Sequence, residues 1–380
     1  MARKPNRRPS KEGEKVRVPF RRNRASRPRP NDWTQQSRDS DDREVDSPSS
    51  ENVVSKGEMS RRRTVIVHED AADRPGLHQG VVVTMRGLFA DVDDGSQIWP
   101  CTVRRILRTR LTQERHPVTI GDRVRFSAEG DTEGVAREGV IESVEPRTGQ
   151  LCRRVGRRIQ TIVANVDQAI IVSSAAEPPP KPNLIDRYIV SALAGAITPV
   201  ICMNKIDLDS DGYARSLLDR YTNLGYRTLC TSTVEGTGID KLRDVLRGKA
   251  SAVAGQSGVG KSSLLNVVQP GLDLRIGEMI QKFDKGRHTT TTAVLIRLDF
   301  GGYVVDTPGI RSFDVSEVPR QQLEAYFVEF LPFVPDCKFP DCSHTHESDC
   351  AVKAALERGD IHPDRYDSYV RLFTEPDSAA

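Results

Sequence analysis

Gly255-Gln256-Ser257-Gly258-Val259-Gly260-Lys261-Ser262 fits the pattern G-x-x-x-x-G-K-S, and no other stretch narrows the possible folds of this chain so far. It follows a short apolar run at 251–254 and opens an amphipathic segment at 262–268, so it reads as the loop between a strand and a helix. In that setting the glycines let backbone N–H groups turn inward around a β-phosphate, and the helix N-terminus adds the positive end of its dipole. Lys261 then bridges the β- and γ-phosphates, and the Ser262 hydroxyl is placed for Mg²⁺. Apolar runs at 168–172, 199–203, 226–230, 293–298 and 303–305 alternate with helical patterns, which predicts a doubly wound α/β sheet between about 150 and 313.

Asn204-Lys205-Ile206-Asp207 comes directly after the run at 199–203, at the sheet edge where α/β proteins bind ligands. The Asp207 carboxylate can accept from both the ring N–H and the exocyclic amine of guanine. Adenine lacks that donor pair, so the tetrapeptide selects GTP over ATP. Lys205 is expected to lay its aliphatic stem over the base, and Asn204 to tie this loop to the phosphate loop. Within Cys230-Thr231-Ser232, Thr231 and Ser232 are small enough to finish the guanine pocket. Asp306-Thr307-Pro308-Gly309 reads as a D-x-x-G switch: Asp306 holds Mg²⁺ through water and the Gly309 N–H senses the γ-phosphate. Upstream of it lies Gly286-Arg287-His288-Thr289-Thr290-Thr291-Thr292. One hydroxyl of this run, assigned to Thr290, completes the Mg²⁺ shell, while the flanking threonines also fit the start of a β-branched strand.

A conventional GTPase places the phosphate loop first and N-K-x-D last, whereas here N-K-I-D at 204 precedes the phosphate loop at 255. The motif order is circularly permuted. The chain beyond Gly309 is therefore joined directly to the γ-phosphate sensor. That stretch carries Cys337-x₄-Cys342-x-His344-x₅-Cys350, three thiolates and an imidazole, which make a complete tetrahedral zinc set. With no open position, the zinc is read as structural. His346 and His362 are spare candidates, and His344 is preferred because it shares a loop with Cys342. Helical patterns at 320–330, 350–358 and 365–373 flank the cluster. Cys101, Cys152, Cys202 and Cys230 are scattered, which suits a reducing compartment better than a disulfide framework.

The 380 residues leave room for more than one core. Short runs at 80–85, 88–92, 97–103, 123–127 and 139–144, broken by Gly, Asp and Pro, predict a small five-stranded barrel. Arg104, Arg105, Arg108, Arg110 and Arg115 gather around its middle connection, where they either meet an RNA backbone or form a solvated basic loop. Residues 1–30 carry twelve Lys or Arg against two acids, while the whole chain is only +3. With no leucine before Leu77, residues 1–76 are expected to be a disordered basic tail, an arm for nucleic-acid phosphates or a solubilising segment. No apolar leader follows Met1. The uncharged run at 188–203 is interrupted by Gly195 and Pro199 and is shorter than the roughly 20 residues of a bilayer span. The chain is thus expected in the cytoplasm, with no membrane partner.

Together these motifs resemble one family, the RsgA (YjeQ) GTPases that depend on the small ribosomal subunit. The resemblance runs from about Leu77 to Phe373. It rests on the barrel, the order N-K-I-D then G-Q-S-G-V-G-K-S-S, the H-T-T-T segment, D-T-P-G and the C-x₄-C-x-H-x₅-C loop. It implies a multidomain chain: an OB-type β-barrel at 77–147, a circularly permuted α/β P-loop GTPase domain at 148–313 and a zinc-binding helical domain at 314–380. It extends the nucleotide contacts through Ser263 and matches the zinc ligands to Cys337, Cys342, His344 and Cys350. It also implies hydrolysis of GTP to GDP late in maturation of the small (30S) ribosomal subunit. The barrel and zinc domains would contact rRNA, and the subunit would stimulate turnover. A monomer is expected. The basic tail falls outside the resemblance.

Ile310 stands where many GTPases carry the glutamine that orients the attacking water, so another polar group must do so. His288, two residues before Thr290, is the candidate, and the resemblance points to it as well. The other reading is a histidine that packs or contacts rRNA. Two rival functions differ in class. One is a GTP-dependent binding module whose activity ignores ribosomal subunits. The other is a zinc-containing RNA-modification enzyme, disfavoured because the Cys–His set is coordinatively complete.

Overall fold

The computed structural model describes residues 14–19, 62–67, 76–87, 89–104, 118–129, 138–155, 158–271, 294–306 and 318–375, with backbone alone at 14–19, 62–67, 129, 153–155, 158–159 and 306. The first two strands, β1 (Glu14–Pro19) and β2 (Arg62–Val67), pair antiparallel with Val16 opposite Val65. The expectation of disorder over 1–76 is corrected for these two segments. Each is a short run of β-branched residues set among charges, a local pattern that the Arg- and Pro-rich composition of the whole tail masks.

Five strands then close a barrel: β3 (His78–Arg86), β4 (Phe89–Asp93), β5 (Ile98–Val103), β6 (Arg123–Glu129) and β7 (Glu138–Val144). The order is β3-β4-β5-β7-β6, with β3 also paired to β6 and with β5 parallel to β7, the OB-type arrangement. Alternation along the strands sends Val82, Ala90, Val92, Cys101, Val124, Phe126 and Ile141 inward. A hairpin not foreseen in the sequence comes next, β8 (Gln150–Val155) with β9 (Arg158–Ala164). Thr119 Oγ1 of the barrel side donates to the Ile162 carbonyl at 3.3 Å, and Gln150 N donates to the Gly195 carbonyl at 2.9 Å. The hairpin is thus wedged between the barrel and the next sheet.

That sheet has six strands: β10 (Gln168–Ser174), β11 (Thr198–Asn204), β12 (Arg227–Cys230), β13 (Ala250–Ala254), β14 (Val294–Arg297) and β15 (Tyr303–Asp306). Their order is β12-β11-β10-β13-β15-β14, and all neighbours are parallel except β14 with β15. Every residue of β10 is buried, as a strand covered on both faces requires. Ala169, Ile171, Ile201 and Met203 pack toward α1 (Pro182–Ala194) and α2 (Tyr213–Asn223). Their alternates Ile170, Val172, Val200 and Cys202 pack toward α3 (Ile239–Leu246) and α4 (Lys261–Val268). The chain builds outward through β11 and β12 and returns to β13 on the other side of β10, so the topological switch point lies between β10 and β13.

The C-terminal unit carries α5 (Ala351–Arg358) and α6 (Pro363–Thr374). The helical pattern at 320–330 is corrected: Arg320–Tyr326 is a 3₁₀ segment, followed by turns in which Phe330 N donates to the Phe327 carbonyl and Phe333 N to that of Phe330. Three residues per turn brings Phe327 and Phe330 to one side, where both are fully buried against Tyr369.

Candidate nucleotide site and metal centre

The strands β11, β12, β13 and β15 end on the same edge of the sheet, and each leads into one of the motif segments. The phosphate loop runs from Gly255 to Gly260, and α4 starts at Lys261. Two glycines are forced by close approach. A Cβ on Gly255 (φ +146°) would lie 2.1 Å from the Val172 carbonyl oxygen, and one on Gly260 (φ +92°) would lie 2.4 Å from Asn204 Nδ2. The second crowding reflects a contact. Asn204, buried at the end of β11, donates from Nδ2 to the Val259 carbonyl at 2.8 Å and accepts from Thr231 Oγ1 at 3.1 Å. One buried amide therefore ties together the base-reading loop, the phosphate loop and the loop after β12, as the sequence led us to expect for Asn204.

Lys205 adopts the left-handed conformation (φ 56°, ψ 38°), and its ammonium donates to the Glu177 carbonyl. Ile206 is buried, and its N–H donates to the Thr231 carbonyl at 3.1 Å. Asp207 is exposed. Two residues on, Asp209 accepts from Ala214 N at 2.9 Å and Arg215 N at 3.2 Å, so the loop is pinned to the first turn of α2. Thr231 and Ser232 are fully buried, and Ser232 Oγ accepts from Glu235 N at 3.2 Å. The segment at 175–180, with its prolines, was missed as part of the site. Its one signal in sequence was a proline run directly after β10.

Lys261 Nζ donates to the carbonyls of Gly255 and Gln256, both at 2.8 Å, and burial lowers its pKa. A desolvated ammonium of this kind gains most from an arriving anion. Ser257 and Gly258 are exposed, Ser262 is half-buried in the first turn of α4, and Ser263 is exposed beside it. Asp306 is the last residue of β15, whose Val305 stands opposite Ala252 of β13, so the expected Mg²⁺ acid occupies the strand next to the phosphate loop. Gly309, His288 and Thr290 lie outside the described residues, as do Arg105, Arg108, Arg110 and Arg115. Arg104 pairs with Glu142.

The ligand atoms of Cys337, Cys342, His344 and Cys350 all lie within 4.8 Å of one another. Cys337 Sγ is 4.0 Å from Cys350 Sγ, and His344 Nδ1 is 3.5 Å from Cys337 Sγ and 3.4 Å from Cys350 Sγ. A tetrahedral zinc with roughly 2.3 Å bonds to sulfur and 2.0–2.1 Å bonds to nitrogen needs edges of about 3.5–3.8 Å, so the donor set fits. Glu324 Oε2 lies 2.6 Å from His344 Nε2, which leaves Nδ1 as the metal-facing nitrogen. Sequence reasoning missed this acid because it stands 20 residues from its histidine. The spare candidates sit elsewhere: the His346 side chain is 82% exposed, and His362 Nδ1 caps α6 by accepting from Asp364 N at 3.1 Å.

Residues 144–316 match the family model described as RsgA GTPase. A protein of Chlorobaculum parvum named small ribosomal subunit biogenesis GTPase RsgA is 43% identical over 307 residues, spanning 78% of this chain and 98% of the relative. The chain belongs to the RsgA family. A second RsgA, from Thermotoga maritima, is 40% identical over 303 residues, covering 78% of this chain and 96% of the relative. Among solved structures, YjeQ from Thermotoga maritima superposes with a TM-score of 0.65 at 36% identity, covering 79% of this chain and 98% of that one. YloQ, a circularly permuted GTPase, superposes with a TM-score of 0.61 at 30% identity, covering 80% and 96%. Membership of the RsgA family makes this chain a GTPase that uses GTP and Mg²⁺, and the permuted motif order read from the sequence agrees with the likeness to YloQ, itself a circularly permuted GTPase.

Proposed function

We propose that this chain hydrolyses GTP to GDP and phosphate during late maturation of the small ribosomal subunit, binding its rRNA and turning over faster when bound. The observation that carries the nucleotide half is the buried Asn204 amide, which locks a guanine-reading loop to a phosphate loop. The ribosomal half is supported by relatives at about 40% identity that span nearly their whole length and bear that name.

In this reading Asp207 accepts the two guanine donors, Lys205 and Ile206 shape the base slot, and Thr231 and Ser232 close it. The N–H groups of Gly255, Gln256, Ser257, Gly258, Val259 and Gly260 surround the β-phosphate with Lys261, Ser262 and Ser263. Ser262, Thr290 and Asp306 are the Mg²⁺ contacts, the Gly309 N–H senses the γ-phosphate, and His288 positions the attacking water. Cys337, Cys342, His344 and Cys350 hold one structural zinc, whose bonds cross-link a small unit that has little core of its own. The barrel and this unit provide the rRNA contacts. Among the described residues no helix is long and apolar enough to cross a membrane. The protein acts as a cytoplasmic monomer.

Co-sedimentation with purified small subunits tests the partner. Binding with a non-hydrolysable GTP analogue and release with GDP support the reading. Equal recovery with large and small subunits would overturn it.

A further inference from the structure

The C-terminal unit meets helix α1 of the GTPase domain through buried charge. Arg365 of α6 is 3% exposed and Asp186 of α1 is fully buried. Arg365 Nη1 donates to Asp186 Oδ1 at 2.6 Å, and its other face is held by Glu329 through Nε and Nη2, the latter at 3.0 Å. Tyr221 of α2 donates its hydroxyl to the same Asp186 oxygen at 2.8 Å. The guanidinium also lies 4.6 Å from the centre of the Phe327 ring. One arginine of the C-terminal unit is thus bonded to α1, and through the shared carboxylate to α2. Burial pushes the Asp186 carboxyl up, against the pull of the Arg365 guanidinium.

These two helices hold the base-reading loop. Ile206 packs in one apolar cluster with Ile185 and Tyr188 of α1 and with Leu217 and Tyr221 of α2. Asp209 is fastened to the first turn of α2. Asp207 therefore stands between a residue buried against both helices and a residue fixed to one of them. The segment leading into α1 takes the Lys205 ammonium on the Glu177 carbonyl. A shift of α1 against α2 moves the supports of both Asp207 and Lys205.

We propose that Arg365, Asp186 and Tyr221 form a positioning junction for guanine recognition, through which docking of the Cys–His unit fixes α1 against α2 and sets how well Asp207 meets its two donors. This rests on the guanine reading of Asp207. The three residues are positioning residues: their side-chain bonds run to one another and to Glu329, and not to the motif loops.

The test uses the full zinc-loaded chain and compares binding of GDP with IDP, whose hypoxanthine lacks the exocyclic amine. Because removing one partner of a buried ion pair strongly destabilises a fold, the first variant is Tyr221→Phe, which deletes one hydroxyl and keeps the ring, and Asp186→Asn is the second. Tyr221→Phe is expected to weaken GDP by roughly 3–10-fold, the size of one hydrogen bond, and IDP by less, so that the GDP-over-IDP preference falls while zinc content stays at one per chain. A structural role alone would lower the melting temperature and leave that preference intact. Unchanged preference in Tyr221→Phe, or equal weakening of both nucleotides, overturns the junction. Asp207→Asn is the control: if it leaves base preference unaltered, the guanine reading itself has failed, whereas a normal response there with no response in Tyr221→Phe sinks only the coupling.

Discussion

Asn204 Nδ2 donates to the Val259 carbonyl at 2.8 Å, and that bond ties the N-K-I-D loop to the phosphate loop although 55 residues separate them in the chain. The same amide takes the Thr231 hydroxyl, so no polar atom of the clasp is left over. Replacing Asn204 by Ala leaves the buried Val259 carbonyl without its side-chain donor and the Thr231 hydroxyl with the Cys202 thiol alone, at a cost of about 1–3 kcal/mol. GTP and GDP affinity should fall by roughly 10–100-fold in equilibrium binding, and affinity equal to wild type would show that the clasp is incidental.

In the proposed nucleotide pose, the two acceptor oxygens of Asp207 meet the two donors of guanine. Asp207→Asn exchanges one acceptor for a donor and should turn the preference from GTP toward xanthosine triphosphate. Competition binding with GTP, XTP and ATP checks this. A wild-type chain that binds ATP as well as GTP would contradict it.

The four metal-facing atoms and Glu324 behind His344 make a complete site. Elemental analysis should find one zinc per freshly purified chain. Cys342→Ala should lose it and unfold the C-terminal unit. Glu324→Gln should keep the fold but surrender zinc to a chelator at roughly 10–100-fold lower concentration. At saturating GTP, basal turnover of Cys342→Ala should survive better than its turnover on small subunits.

Lys261 is held by the loop carbonyls at 2.8 Å and belongs to a different unit from the zinc ligands. Lys261→Ala should therefore abolish nucleotide binding or turnover with zinc stoichiometry unchanged. Parallel loss of zinc would mean that the variant had unfolded.

His288→Ala should lower kcat on small subunits by about 10²–10⁴-fold with nucleotide affinity within a few-fold of wild type, the size of a lost water-positioning or general-base group. Turnover at the wild-type rate would leave the water to the backbone or the ribosome.

What could be read from the sequence divides along physical lines. The phosphate loop, N-K-I-D and the five barrel strands were legible because each is local: a strand, a turn residue and a helix start within about ten residues. The Cys–His set was legible because its spacing is itself the constraint. Glu324, the Glu177 carbonyl and the Arg365–Asp186 pair were not, since each meets its partner only through tertiary packing, 179 positions apart for Arg365. The β8–β9 hairpin hid behind its arginines at 153, 154, 157 and 158, which mask the alternation that announces a strand. The segment at 320–330 carries a helical residue pattern, yet it forms a 3₁₀ segment over Arg320–Tyr326 and then turns whose phenylalanines, spaced by three, pack against Tyr369.

In the proposed function a permuted GTPase core is switched on by the particle it helps to mature. The direct measurement is the rate of GTP hydrolysis by the full chain in buffer, with large subunits and with small subunits at matched concentration. Turnover should be slow in buffer, gain nothing with large subunits and rise several-fold or more with small subunits. The same rate in all three would contradict it and leave a GTP-dependent binding module whose hydrolysis is incidental.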